Sequence, residues 1–393
     1  MSVVKALKVR FQDITGHKEI IGSLRKLADS GKLPHAFLFT GISGIGKHRT
    51  ARAFSQYIHC KNRKNGDSCG ECPSCLQHQK HNNPDLHFVY PIVKKDGALI
   101  SKDMIEEWRD MLDNYSYMPS EKWNELLKAG NSQTAIYVNE SEEIISRASL
   151  SSFQEDYKIF IIWLPEKMRL EAANKLLKII EEPYEDTIFI LVSNNESKIL
   201  PTILSRTQRF NFKPLSDREL QDLLIENGVD KDVARDAARI SEGSLQKADE
   251  IACHPEELIE FSDLFKETMR AAYALKAKTL KEISENVAAF GREKIIRFLT
   301  YCARMIRENY IYNYSLPPLI MMTADEITFS GRFAPFIHDG NVEQLSQEIA
   351  RAARDIERNG NSKIVIFDLL LLFSRLVRKP KTMVLPGMEE YLN

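Results

Sequence analysis

Over the first 215 residues, short apolar runs alternate with helix-patterned stretches. Ala36–Thr40 (AFLFT) reads as a buried strand and Lys47–Ile58 as the helix after it. Leu86–Tyr90 is a candidate strand, and Tyr157–Trp163 (YKIFIIW) is the strongest one. Arg169–Glu182 carries a helical pattern stopped by Pro183. Thr187–Ser193 (TIFILVS) predicts another buried strand and Gln208–Phe212 a short one. Continuous apolar strands separated by helices imply a parallel sheet covered on both faces, an α/β domain. The character changes after Pro214. Ser216 followed by Glu219 forms a capping-box pattern, and three short helices separated by Gly228 and Gly243 run to about Ile251. Beyond Pro255 the pattern is helical, with amphipathic stretches at Glu293–Tyr312, Val342–Arg358 and Lys363–Val377 and no β-rich segment. The expected domains are an α/β domain (1–214), a small helical domain (215–255) and a larger all-α domain (256–393).

Residues 97–135 interrupt the alternation. Ile105, Trp108, Met111, Leu112 and Tyr115 fall at helical spacing. Ser120 is placed to cap a second helix carrying Trp123, Leu126 and Leu127. A helical hairpin packed on the α/β domain is the simpler reading, and a partner-docking patch is the alternative. Neither a fixed-period repeat nor a low-complexity tract is present.

Composition narrows the class without naming a chemistry. The 393 residues are 43% hydrophobic and 28% charged, which fits globular domains and excludes a disordered or fibrous chain. Lys+Arg (54) and Asp+Glu (55) nearly cancel, so no global field draws the molecule onto nucleic acid or membrane. Residues 1–60 are locally basic, with ten Lys/Arg against Asp13, Glu19 and Asp29. This excess suits either non-specific phosphate contacts or a solvated face. No apolar run nears the ~18 residues of a membrane span, and the first ten residues have no secretory apolar core. Six cysteines in so long a chain point to the reducing cytoplasm, the expected location, rather than a disulfide scaffold.

Chemistry enters at two motifs. Gly41-Ile-Ser-Gly44-Ile-Gly46-Lys47-His48 follows a predicted strand and opens a predicted helix, the context of a phosphate loop. Its glycines free backbone N–H groups to wrap phosphates, and Lys47 and the helix N-terminus add positive charge. The eighth position calls for a Ser or Thr hydroxyl on Mg²⁺, and here it is His48, a poor ligand for a hard cation. A working site also needs an acidic pair at the end of a second strand. Tyr157–Ile162 ends instead in Trp163-Leu164-Pro165, with Glu166 three residues late. The loop reads as a degenerate nucleotide site. The second motif is Cys60, Cys69, Cys72 and Cys75, spaced C-x8-C-x2-C-x2-C among turn-forming residues. Four thiolates suit a closed tetrahedral Zn²⁺ with no open catalytic position. A redox Cys72-Pro-Ser-Cys75 pair would leave two cysteines idle. A zinc deaminase built on His17-Lys18-Glu19 lacks the required P-C-x-x-C. Cys253 and Cys302 are expected as buried structural thiols.

Together, His35–Lys47 (HAFLFTGISGIGK), the four-cysteine module, Asn174–Pro183 (NKLLKIIEEP) and Ile199–Phe210 (ILPTILSRTQRF) resemble the AAA+ clamp-loader subunits of bacterial DNA polymerase III. The likeness is dense over residues 10–250 and thinner beyond, where Glu357–Leu371 still matches. It implies an AAA+ domain, a three-helix lid and a helical collar that joins subunits into a ring. ATP-hydrolysing members carry Asp-Glu where this chain has Trp163-Leu164, Thr or Ser where it has His48, and a lid arginine where Gln246 follows Gly243-Ser244-Leu245. The family's Ser-Arg-Cys motif persists as Ser205-Arg206-Thr207. The resemblance therefore implies a subunit without ATPase activity of its own. Its Gly41, Gly44, Gly46 and Lys47 loop would be vacant or would hold ATP idly, and Arg206, beside Ser205, would act in trans on a neighbour's ATP. Implied partners are the gamma/tau ATPase subunits and the delta subunit, with primer–template DNA and the sliding clamp met through the complex. Two rivals stand: an active AAA+ ATPase subunit of the same loader, and a zinc-module nucleic-acid binder unrelated to replication.

Overall fold

The computed structural model describes residues 9–94, 99–129, 132–316 and 319–381. The chain divides into two compact units, Met1–Cys253 and His254–Asn393. The first contains β1 (Ala36–Thr40), β2 (Leu86–Val89), β3 (Lys158–Trp163), β4 (Thr187–Val192) and β5 (Gln208–Asn211). These lie in the order β2-β3-β4-β1-β5, and every neighbouring pair is parallel. The α/β class expected from the sequence is the one observed.

Side chains alternate across a strand, so each apolar run feeds two cores. Phe37, Phe39, Ile161, Trp163, Ile190 and Val192 enter one cluster, joined by Leu24 of helix Lys18–Asp29 and Phe54 of helix Lys47–His59. Leu38, Phe160, Ile162, Phe189 and Leu191 enter the other, with Ile144 of helix Val138–Ala148 and Leu176 of helix Leu170–Glu181.

Helix Lys47–His59 has no solvated face, since all of its 13 residues are buried. The cysteine module and the 97–135 segment account for this. Gln56 Nε2 donates to Ser68 Oγ at 2.8 Å, Arg52 meets His81 at 3.0 Å and His48 packs on Trp108. Lys47, Arg49 and Arg52 therefore drop out of the basic N-terminal surface. Among the described cations of that region, Lys18, Lys26 and Lys32 are the exposed ones.

Helices Asp217–Glu226, Lys231–Ile240 and Leu245–Cys253 close on Leu220, Leu224, Ala237, Leu245 and Ala248. Ser216 Oγ accepts the Glu219 N–H at 3.3 Å and the Glu219 carboxylate accepts the Ser216 N–H at 3.0 Å, the capping box read from the sequence.

The second unit is all-α among its described residues. Helices Pro255–Tyr273, Ala277–Ala288, Arg292–Tyr312, Ala324–Phe333, Val342–Glu357 and Ser362–Leu376 share one core around Phe265, Phe298, Ile306, Leu345 and Leu370. Cys302 is buried there, as expected, whereas Cys253 ends its helix half-buried, because the last turn is only partly covered. No helix among the described residues is long and apolar enough to cross a membrane. The tail 382–393 and, within the 97–135 segment, residues 97–98 and 130–131 lie outside the described residues.

Candidate functional site

The glycine loop leaves β1 at its carboxyl end and turns directly into helix Lys47–His59. β4 lies on one side and β5 on the other, the part of an open parallel sheet where ligands bind. Gly41 and Gly44 have φ of 145° and 77°. A Cβ at Gly44 would lie 2.4 Å from Ser244 Oγ, and one at Gly41 would lie 2.5 Å from the Phe212 carbonyl oxygen. Glycine is thus required for close packing as well as for backbone angle. Gly46, at φ 92°, caps the helix.

Lys47 folds back on its own loop. Its Nζ donates to the Gly41 carbonyl at 2.8 Å and to the Ile42 carbonyl. Burial pulls its pKa down to about 7, against an opposing pull from the Glu166 carboxylate. Glu166 in turn accepts the Asn194 N–H at 2.9 Å. One carboxylate thus acts on Lys47, from the turn after β3 and not from a strand-end acidic pair. From the other side, the Ser244 hydroxyl donates to the Ser43 carbonyl at 3.0 Å and the Gln246 N–H to the Gly44 carbonyl at 3.2 Å. Gln246 lies against the loop and brings no charge.

Aromatic rings cluster beside His48 and the end of β3. Helix Ile105–Asn114 supplies Trp108 and helix Ser120–Leu126 supplies Trp123, both fully buried. Trp108 stacks on Tyr90 at 4.0 Å, meets Trp123 edge-on at 5.4 Å and packs on Trp163 at 5.5 Å. The His48 ring lies edge-on to Trp108 at 5.6 Å, and burial keeps it neutral, far below its ordinary pKa. Trp123 Nε1 donates to the Pro91 carbonyl at 2.7 Å, which fixes the second helix. Between Gly44, Lys47, His48, Tyr117, Trp163 and Asn194 remains a cavity of about 20 Å³. That is room for roughly one water.

The 97–135 segment is therefore the packed hairpin, and its tryptophans are not available as a docking patch. One detail differs from expectation. Pro119, not Ser120, precedes the second helix, and the Ser120 hydroxyl turns to the Glu121 carboxylate at 3.1 Å. A proline one residue earlier already sets the extended entry angle.

The four cysteine sulfurs all lie within 4.8 Å of one another. Cys60 and Cys69 are 3.7 Å apart and Cys69 and Cys75 3.9 Å apart. A tetrahedron with ~2.3 Å metal–sulfur bonds has edges of roughly 3.8 Å. The Cys69 N–H points at Cys60 Sγ and the Cys72 N–H at Cys69 Sγ, both at 3.3 Å. Such donors favour thiolates. The set fits a tetrahedral metal ion. The module is pinned to the chain ahead of the sheet by Asp67, whose carboxylate accepts the Phe11 and Gln12 N–H groups at 3.2 and 2.9 Å. His17 of the His-x-Glu triplet is engaged elsewhere, bonded at 2.8 Å to the Ile45 carbonyl of the glycine loop.

Arg206 follows the short helix Pro201–Leu204. Its guanidinium donates to the Thr202 carbonyl at 2.8 Å and to Ser205 Oγ at 3.2 Å, and pairs with Glu181 at 2.8 Å. Its side chain is 37% exposed, in contrast to the buried Lys47.

The family model described as "DNA polymerase III, delta subunit" matches residues 16–216, just over half of the chain. The chain belongs to this clamp-loader family. The delta' subunit of DNA polymerase III from Bacillus subtilis is 29% identical over 229 residues, 57% of this chain and 57% of that one. The tau subunit of the same organism is 28% identical over 237 residues, 60% of this chain and 34% of that one. The gamma subunit from Buchnera aphidicola is 30% identical over 210 residues, 53% of this chain and 46% of that one. The chain matches from about a third to just over half the length of these relatives.

Within this clamp-loader fold, sequence reasoning missed the part played by four residues. Trp108 and Trp123 are visible as apolar spacing, but not as the rings that pack on Trp163, with Trp108 also on His48. Glu181 lies inside the quoted NKLLKIIEEP segment, yet its pairing with Arg206 joins residues 25 positions apart in the chain. Nor does any local signal mark Ser244 as a loop contact.

Proposed function

We propose that this chain is the delta'-type subunit of a replicative sliding-clamp loader of DNA polymerase III. In this reading it hydrolyses no ATP, scaffolds a ring of subunits, and offers Arg206, oriented by Ser205, to ATP held by a neighbour. Identity alone does not separate delta' from gamma or tau relatives, at 29%, 30% and 28%. The site does more. One observation carries the reading: Trp163 stands at the β3 end, packed on Trp108 beside His48, where hydrolysis needs carboxylates and a metal-binding hydroxyl. Neither Trp163 nor His48 supplies the carboxylate or hydroxyl that ligates Mg²⁺ and activates water in a hydrolysing site. The exposed guanidinium of Arg206 is suited to meet charge developing on a bound triphosphate, an interaction worth about 10³–10⁵ in rate when it forms.

The division 1–214, 215–255 and 256–393 then serves as AAA+ domain, lid and ring-forming collar. Cys60, Cys69, Cys72 and Cys75 hold a structural Zn²⁺ that staples the module to helix Lys47–His59. Partners in this reading are gamma/tau ATPase subunits and a delta subunit, in the cytoplasm, with primer–template DNA and the sliding clamp engaged by the whole assembly.

The test is ATP turnover by the purified chain. It is expected at background level at saturating ATP and Mg²⁺. Turnover that rises with enzyme concentration and survives repurification would establish the rival, an active ATPase subunit.

A further inference from the structure

Glu181 is the last residue of helix Leu170–Glu181, and Glu182 and Pro183 follow it. A helix C-terminus carries partial negative charge and favours cations, so two adjacent carboxylates are locally unfavourable there. Arg206 is the cation that meets Glu181, with one guanidinium nitrogen 2.8 Å from Glu181 Oε1. The Thr202 carbonyl and Ser205 Oγ hold the other terminal nitrogen. Arg206 is thus ordered with an anion already on one edge of its fork. A phosphate binds that same fork edge-on, through two parallel N–H donors.

On the reading that Arg206 acts in trans, we infer that Glu181 is its resting partner: a built-in anion that holds the guanidinium and must be displaced by a neighbour's triphosphate. The chemistry makes displacement easy. Both side chains are well exposed, at 37% and 42%, and exposed carboxylate–arginine pairs are weak. Hydrogen bonds from arginine to a doubly charged phosphate edge are stronger. Glu181 also repels a phosphate that approaches without displacing it. The pair therefore lowers the chance that Arg206 engages before the neighbour's nucleotide is fully seated. Glu181 is a positioning residue in this scheme and touches no substrate.

The experiment measures ATP turnover by the reconstituted loader carrying wild type, Glu181→Gln, Arg206→Ala or the double variant. Glu181→Gln should raise turnover at saturating ATP by about two- to five-fold, the range expected for release of an exposed ion pair. The gain should shrink as salt screens the pair in the wild type, and it should vanish in the Arg206→Ala background. Glu181→Gln turnover at or below wild type, with Arg206→Ala still strongly impaired, would overturn the latch alone. Loss of Arg206 without effect on turnover would overturn the underlying role of Arg206 instead. Glu181 is exposed and neutralising it relieves the helix end, so the variant folds.

Discussion

Lys47 illustrates how a site residue is retained by type and altered in use. A phosphate-loop lysine normally spends its charge on phosphate oxygens. Here it caps two carbonyls of its own loop and is buried deeply enough for its pKa to fall to about 7. The sign of the stability effect follows. Between pH 7 and the ordinary lysine value of 10.5, the unfolded chain holds a proton that the folded chain has released. Stability contributed at this position therefore rises with pH across that window, by up to about 1.4 kcal/mol per pH unit. Denaturant unfolding of wild type and Lys47→Met at pH 7 and pH 9 measures it. The wild type should gain on the variant at the higher pH, and a constant difference would mean that Lys47 stays charged in the fold. The residues that decide the chemistry are legible in the sequence by identity, because His48, Trp163 and Gln246 stand at positions whose required chemistry is known. Their new employment is not legible. Nothing local in the sequence says that His48 would face an indole, or that Gln246 would lie on Gly44.

At the scale of elements, strands are the most readable parts. Their apolar runs are continuous because both faces of the sheet are covered, and turn residues bound them sharply. Helices Lys18–Asp29 and Val138–Ala148 escape the sequence reading, although each has a buried stripe (Ile21, Leu24 and Ala28; Ile144 and Ala148). Short amphipathic helices without strong caps give weak signals, and the N-cap of Lys18–Asp29 is a left-handed His17 with no side-chain cap bond. The hairpin is legible as two helices, but its docking is not, since apolar spacing does not say which surface receives the stripe. The cysteine module makes a prediction at this scale. Four sulfurs within 4.8 Å of one another, on a loop tied down by the Asp67 carboxylate, are compatible with a tetrahedral metal site. Protein purified without chelator should contain one zinc per chain by metal analysis, and Cys72→Ser should lose it. A zinc-free, stable wild type would refute the assignment.

Across the whole molecule, the two compact units differ in kind. Met1–Cys253 carries every feature with a chemical history: the glycine loop, the cysteines, Arg206 and the three helices that press Ser244 and Gln246 onto the loop. His254–Asn393 is a helical assembly whose buried polar groups serve its own packing. Tyr301, for example, donates to Glu326 at 2.7 Å, and Asn341 Nδ2 bonds the Phe336 and Leu376 carbonyls at 2.8 and 3.0 Å. The central claim is an asymmetry between a glycine loop that faces Trp163 and His48 in place of carboxylate and hydroxyl and a guanidinium left at the surface. Steady-state ATP turnover of the reconstituted loader with wild type or Arg206→Ala tests it most directly. The account predicts that the variant assembles normally and loses most of the turnover, with a drop of roughly tenfold or more. Normal assembly with unchanged turnover would contradict it.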